Sequence, residues 1–368
     1  MSDNFTAAMR EATSLTRAGN LHEATQLIQA ALQRRLGDGA NTAMAAPAER
    51  LGSAAMVIDV LARELPEMPT VEPMPAHGPS LAPDGVSTGF FPGHYAGPAG
   101  QRPYKLFVPP RLGTRPMPLI VMLHGCTQDP DDFAAGTAMN EAAAAQGFYV
   151  LYPAQTAKAN PQRCWSWFKH NHQARGRGEP AILAGMTQQI LAQHAIDEGQ
   201  VYVAGLSAGG AMAAILGAAY PDIYAAVGVH SGLAPGSATD LPSALAAMQG
   251  AGMPVPATPS GMPTIVFHGD ADTTVHPKNG AMVIASNVAI SATTVDRQAV
   301  HGHGGRSCTR TTYRLPDGRT VAEHWVVHGS AHAWSGGRTR GSYTDAQGPD
   351  ATAAMLRFFF QHQLCTTR

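Results

Sequence analysis

Val201-Tyr202-Val203-Ala204-Gly205-Leu206-Ser207-Ala208-Gly209-Gly210-Ala211-Met212-Ala213 runs from a β-branched apolar segment through a glycine-flanked serine into an alanine-rich one. The pattern Gly-x-Ser-x-Gly at a strand-to-helix junction demands a sharp turn. Gly205 and Gly209 remove side chains that would collide, leaving Ser207 in a strained conformation with its hydroxyl exposed. Ser207 also stands at the N-terminal end of the following helix, where N–H groups and the helix dipole favour negative charge on a reacting oxygen. Strand, turn and helix in this order predict an α/β domain.

The chain on either side reads the same way. Short apolar, β-rich runs fall at Tyr104 to Val108, Leu119 to Leu123, Phe148 to Tyr152, Ala226 to Val229, Thr264 to Phe267 and Glu323 to Val327. Helical patterns lie between most of them, around Asp131 to Gln146, Ala181 to His194, Ala211 to Tyr220, Pro277 to Ser291 and Asp350 to Gln361. Alternation of this kind predicts a mostly parallel sheet with helices on its faces over residues 87–368. Ahead of it, PEMPTVEPMPAHGPSLAPDG supplies proline, glycine and acidic residues that exclude regular structure, so 66–86 reads as a linker. Residues 1–65 read as a small helical segment, an αα-hairpin over 4 to 34 broken at Gly19-Asn20 and a weaker helix from Ala48 to Leu65. The hairpin is read as a docking element, with packing on its own main domain as the alternative.

Composition removes several classes of function. Lys+Arg 25 against Asp+Glu 26 gives a net charge of -1, so no basic field attracts nucleic acid or an anionic membrane. Arg10, Glu11 and Arg17 interrupt the segment where a signal peptide would be apolar, and no later run reaches the roughly 18 apolar residues of a membrane span. A cytoplasmic location is favoured on that ground. Four cysteines are too few for a disulfide scaffold in 368 residues. His170 with His172, and His301 with His303, lack a cysteine or carboxylate at ligand spacing, so they read as exposed loop residues and no metal or other cofactor is implied.

A serine hydroxyl needs a histidine to take its proton and a carboxylate to orient that histidine. After Ser207, PTIVFHGDADTTVHP ends its apolar run in Asp270 and Asp272, and EHWVVHGSAHAWSGG ends in His328 and His332. Both pairs fall at the carboxyl ends of expected strands, where open α/β sheets build their sites. Asp272 sits deeper in its loop and is favoured as the acid, leaving Asp270 as a turn former or orienting group. His332 lies in a Gly-Ser-Ala-His-Ala-Trp loop that can reach a neighbouring strand and is favoured over His328, the last strand residue.

These residues resemble the polyhydroxybutyrate (PHB) depolymerase family of esterases, which is akin to single-domain feruloyl and acetylxylan esterases. The matching pieces are Leu123-His124-Gly125-Cys126-Thr127-Gln128, Cys164-Trp165-Ser166-Trp167-Phe168, Gly205-Leu206-Ser207-Ala208-Gly209-Gly210, His268-Gly269-Asp270-Ala271-Asp272 and His332-Ala333-Trp334-Ser335-Gly336-Gly337. The resemblance implies an α/β-hydrolase fold, with Ser207 as nucleophile, Asp272 as acid and His332 as base. It implies an oxyanion hole from the N–H groups of Cys126 and Ala208, and disulfides Cys126–Cys164 and Cys308–Cys365. The expected substrates are hydroxyalkanoate oligomers or short acyl esters, with Trp165 and Trp334 as candidate walls of the substrate cleft. Secreted relatives carry a signal peptide and often a polymer-binding domain, which makes an extracellular location the alternative.

Overall fold

The computed structural model describes residues 88–110, 114–252, 259–301 and 305–364, with Glu11 ahead of them. The chain divides into two units, Met1–Glu72 and Pro73–Arg368. Apart from Glu11, everything described belongs to the second, and the expected hairpin, the weaker helix and the linker lie outside the described residues.

Among the described residues, ten strands form one sheet in the order β1-β2-β4-β3-β5-β6-β7-β10-β9-β8. They are β1 (Gly89–Gly97), β2 (Gly100–Val108), β3 (Met117–Leu123), β4 (Tyr149–Pro153), β5 (Ile196–Leu206), β6 (Ala226–His230), β7 (Thr264–Gly269), β8 (Thr294–His301), β9 (Ser307–Arg314) and β10 (Thr320–Val327). The six central strands, from β4 to β10, are parallel. β2 and β1 on one side and β9 and β8 on the other run antiparallel. A two-stranded parallel ribbon joins β11 (Trp334–Ser335) to β12 (Thr344–Asp345).

Alternation along the strands builds two cores. Leu119, Val121 and Leu123 of β3 face α3 (Gly178–Gln193), α4 (Ala208–Ala219) and α6 (Lys278–Asn287). Ile120 and Met122 face α1 (Pro130–Thr137), α2 (Met139–Gln146) and α7 (Ala351–Phe359). Successive side chains leave a strand on opposite faces, so a continuous apolar run such as Leu119–Leu123 belongs to a strand covered on both sides. No described helix is long and apolar enough to cross a membrane.

The expected single helix over Asp131 to Gln146 is two. Ala138 takes a left-handed conformation, φ 53°, and its N–H closes α1 onto the Ala134 carbonyl. The Gly136 carbonyl, which would continue a longer helix, instead accepts the Arg338 N–H at 2.8 Å. A short helix, α5 (Leu241–Ala246), begins at a capping box between Asp240 and Ser243.

Candidate active site

Ser207 ends β5 and opens α4 at φ 58°, ψ −120°, outside the regions that L-residues ordinarily occupy. The flanking glycines explain how the chain holds it there. A Cβ on Gly209 would lie 2.0 Å from the Leu123 carbonyl oxygen and 2.6 Å from that of His124. One on Gly205 would lie 2.4 Å from the Gly209 carbonyl. The start of α4 thus presses directly on the end of β3, and the Ser207 N–H is drawn to the His230 carbonyl at 2.9 Å. Thr127, Arg163, Ser231 and Tyr343 are also non-glycine residues at positive φ. Thr127 and Arg163 adjoin Cys126 and Cys164, Ser231 follows His230, and Tyr343 meets Thr127, and strain of this kind collects where a site is over-determined by its surroundings.

Asp272 and His332 meet at the carboxyl ends of β7 and β10, where His332 Nδ1–H donates to Asp272 Oδ2 at 2.6 Å. The other carboxylate oxygen accepts the N–H groups of Thr274 at 2.9 Å and Val275 at 2.8 Å. Burial would raise this carboxyl, but His268, His332 and the Val275 N–H outweigh it and hold Asp272 far below the ordinary carboxylate range. His268 is fully buried, donates from Nε2 to the Val275 carbonyl at 2.8 Å, and faces Asp272 Oδ2 at 3.5 Å. The remaining aspartate and histidine pair with each other. His328 Nδ1 meets Asp270 Oδ2 at 2.8 Å with both side chains about two-fifths exposed, and Thr309 occupies the other His328 nitrogen. Asp270 also accepts the Gly329 N–H at 2.7 Å, so it fastens the turn that begins the histidine loop.

The loop after β3 packs against the serine turn, and a Cβ on Gly125 would lie 3.7 Å from Ser207 Cβ. Both sides of Gly125 are gripped. Its carbonyl accepts from His124 Nδ1 at 2.7 Å, and its N–H donates to Gln128 Oε1 at 2.9 Å. The Gln155 N–H donates to His124 Nε2 at 3.1 Å, which leaves the ring proton on Nδ1. Burial pushes the His124 pKa down, in keeping with a neutral ring. Because a peptide unit is planar and trans, fixing the Gly125 carbonyl also fixes the direction of the Cys126 N–H. Cys126 is joined to Cys164 by a disulfide closing a 38-residue separation, worth about 3–4 kcal/mol by loop entropy. Behind that bridge, buried Glu179 accepts from Gln155 Nε2 and the Ser166 N–H, with Arg102 at 3.4 Å.

Several expectations require correction. Trp165 and Trp334 are fully buried rather than walls of a cleft. Trp165 Nε1 donates to the His124 carbonyl and Trp334 Nε1 to Thr352 Oγ1, so each indole finds its polar partner inside the protein. Cys308 is a free buried thiol directed at the Val300 carbonyl rather than half of a bridge, and Cys365 lies outside the described residues. His172, expected in the open, is mostly buried against Glu179 at 3.5 Å. The exposed aromatic beside the Cys126 loop is Tyr343, whose hydroxyl meets Thr127 Oγ1 at 3.2 Å. Among the described residues, no group of three or more His, Cys, Asp or Glu could hold a metal ion.

Residues 102–304 match the family described as esterase PHB depolymerase. The chain belongs to that family. A poly(3-hydroxybutyrate) depolymerase from Ralstonia pickettii is 30% identical over 70% of this chain and 54% of its own length. A poly(3-hydroxyalkanoate) depolymerase C from Paucimonas lemoignei is 34% identical over 44% of this chain and 42% of its own. The chain therefore spans about half the length of these relatives. A solved acetyl xylan esterase from Aspergillus awamori aligns with 74% of this chain and 99% of its own at a TM-score of 0.55 and 19% identity, a likeness of fold. The fold of this PHB depolymerase family member is that of the α/β-hydrolases.

Proposed function

We propose that the protein is a serine carboxylic-ester hydrolase, with Ser207 as nucleophile, His332 as general base and then general acid, and Asp272 holding the imidazole. The observation that carries this reading is the 2.6 Å bond from His332 Nδ1–H to a buried, ionised Asp272. It leaves His332 Nε2 as the nitrogen free to take a proton, in the loop that returns through Ser335 to the same residue that holds the Ser207 N–H. The serine hydroxyl attacks the ester carbonyl as its proton passes to His332. The alcohol leaves with that proton, and water then hydrolyses the acyl-serine by the same route. The oxyanion sits between the N–H groups of Cys126 and Ala208. Ala208 is the first residue of α4, its N–H outside the intrahelical bonds, and Ser207 makes no side-chain cap. Each such donor is worth roughly 3 kcal/mol to the tetrahedral intermediate.

The substrates are hydroxyalkanoate oligomers or short-chain acyl esters. Exposed Tyr343, which meets Thr127 beside Cys126, offers apolar surface suited to an aliphatic ester chain. Hydrolysis of feruloyl or acetylxylan esters would use the same chemistry and forms the alternative. Residues 1–65 serve as a docking element for polymer or a partner; a chain lacking 1–86 keeps soluble-ester turnover and loses association, and equal association without them removes that role.

The test is a panel of polyhydroxybutyrate film, its trimer, short acyl esters and methyl ferulate, run with wild-type protein and Ser207→Ala. Hydrolysis of the trimer and short esters by wild type, abolished in Ser207→Ala, is the expected result. Undiminished turnover by Ser207→Ala refutes the assignment, and preferred hydrolysis of methyl ferulate selects the alternative.

A further inference from the structure

We infer that His230 is the positioning residue that holds the base-bearing loop in register with the nucleophile. The inference rests on the assignment of Ser207 and His332 proposed above. His230 is the last residue of β6 and is 1% exposed. Its backbone carbonyl accepts the Ser207 N–H at 2.9 Å. Its ring Nε2 accepts the Ser335 N–H, also at 2.9 Å, three residues beyond His332. The two loops that must cooperate are thus tied to the backbone and to the side chain of one residue.

The ring is held as firmly as the contacts it makes. It lies between Phe267, at 5.7 Å and 18°, and Trp334, at 5.2 Å and 28°. Trp334 is itself two residues from His332, so the loop stacks on the imidazole as well as bonding to it. Because Nε2 accepts, the ring proton is on Nδ1, directed at Ser231 Oγ at 3.2 Å. The charged and titratable groups facing the ring are His268, His332 and Asp272. Burial pushes the His230 pKa well below 6.5, which keeps the accepting lone pair available. Phenylalanine would preserve the stacking and leave the Ser335 N–H without an acceptor. Glutamine carries a carbonyl oxygen that can reach the same N–H.

The test compares full-length His230→Phe and His230→Gln with wild type on a short-chain chromogenic ester, each well below its unfolding midpoint. His230→Phe is expected to lose on the order of 100-fold in kcat, the effect of displacing a reacting group by about 1 Å, with KM nearly unchanged. His230→Gln should recover most of that loss, and labelling of Ser207 by a fluorophosphonate should slow in step with kcat. Wild-type kcat in His230→Phe, a change confined to KM, or no recovery in His230→Gln overturns the inference. If neither variant folds, nitrogen-15 histidine spectra of the wild type decide: an unprotonated Nε2 near neutral pH is required, and a protonated one overturns it. Ser207→Ala keeps the two readings apart. Its continued turnover would defeat the proposed function, whereas an inert Ser207→Ala beside a fully active His230→Phe defeats only the role of His230.

Discussion

Asp270 and Asp272 stand two positions apart in one loop, each holds a histidine by Nδ1 and a backbone N–H, and they differ in burial. Asp272 is buried, accepts two backbone N–H groups and receives His332, whereas Asp270 holds His328 at the surface. Asp272→Asn is expected to lower kcat by about 10⁴-fold, since an amide stabilises the wrong imidazole tautomer, and Asp270→Asn by less than about tenfold. Steady-state kinetics on a short ester checks both, and equal losses would contradict the assignment. The depressed pKa of Asp272 also has a pH signature. Its stabilising effect is present above the unfolded value near 3.8 and is lost only as pH falls through the lower folded value. The sequence favoured Asp272 and His332, which the structure joins by a 2.6 Å bond, because loop depth follows from distance past the strand. It did not reveal His124, Gln128 or Glu179, although two of these lie in the motif Leu123–Gln128, because their work is to hold backbone that only the folded chain brings together. The buried tryptophans misled for a related reason: an indole beside a motif reads equally as cleft or core until its N–H finds a partner.

At the scale of elements, the strand-to-helix turn at Ser207 is the part most legible in sequence, and its glycines carry the strongest mutational prediction. A Cβ at Gly209 would meet backbone carbonyls of β3 at 2.0 and 2.6 Å, atoms that cannot rotate away. Gly209→Ala should therefore destabilise the fold by more than about 3 kcal/mol, the upper end of overpacking penalties, as measured by denaturant unfolding. A stability change below about 1 kcal/mol would show that α4 can move away from β3. The seven expected strands all lie within observed ones, except for the first residue, Phe148, of the run that became β4. β1, β8 and β9 were not legible. β8 is exposed along nearly its whole length and β1 carries Pro92 among its glycines, so neither shows the apolar run or alternation that marks a half-buried strand. The break at Ala138 was hidden too, because its cause is Arg338, some two hundred positions away in the sequence.

For the molecule as a whole, burial of neutral histidines links stability to pH. His324 and His362 are each pushed down to about 4, chiefly by burial, from a value of 6.5 in the unfolded chain. Between these limits the unfolded chain binds protons that the folded chain does not, so stability rises with pH there and falls on acidification. The unfolding midpoint is expected to drop steadily from pH 6.5 toward pH 4. His362→Gln, which removes one of these groups, should make that slope shallower. A midpoint that is flat or rises on acidification contradicts the burial of these rings as neutral species.

The most direct test of Ser207 as the nucleophile is to inactivate the full-length protein with a fluorophosphonate and map the adduct by mass spectrometry. The proposed mechanism predicts one adduct per chain, on Ser207, formed in proportion to the loss of ester hydrolysis and absent from Ser207→Ala. Hydrolysis that survives complete modification of Ser207, or inactivation that tracks an adduct on another residue, would contradict it.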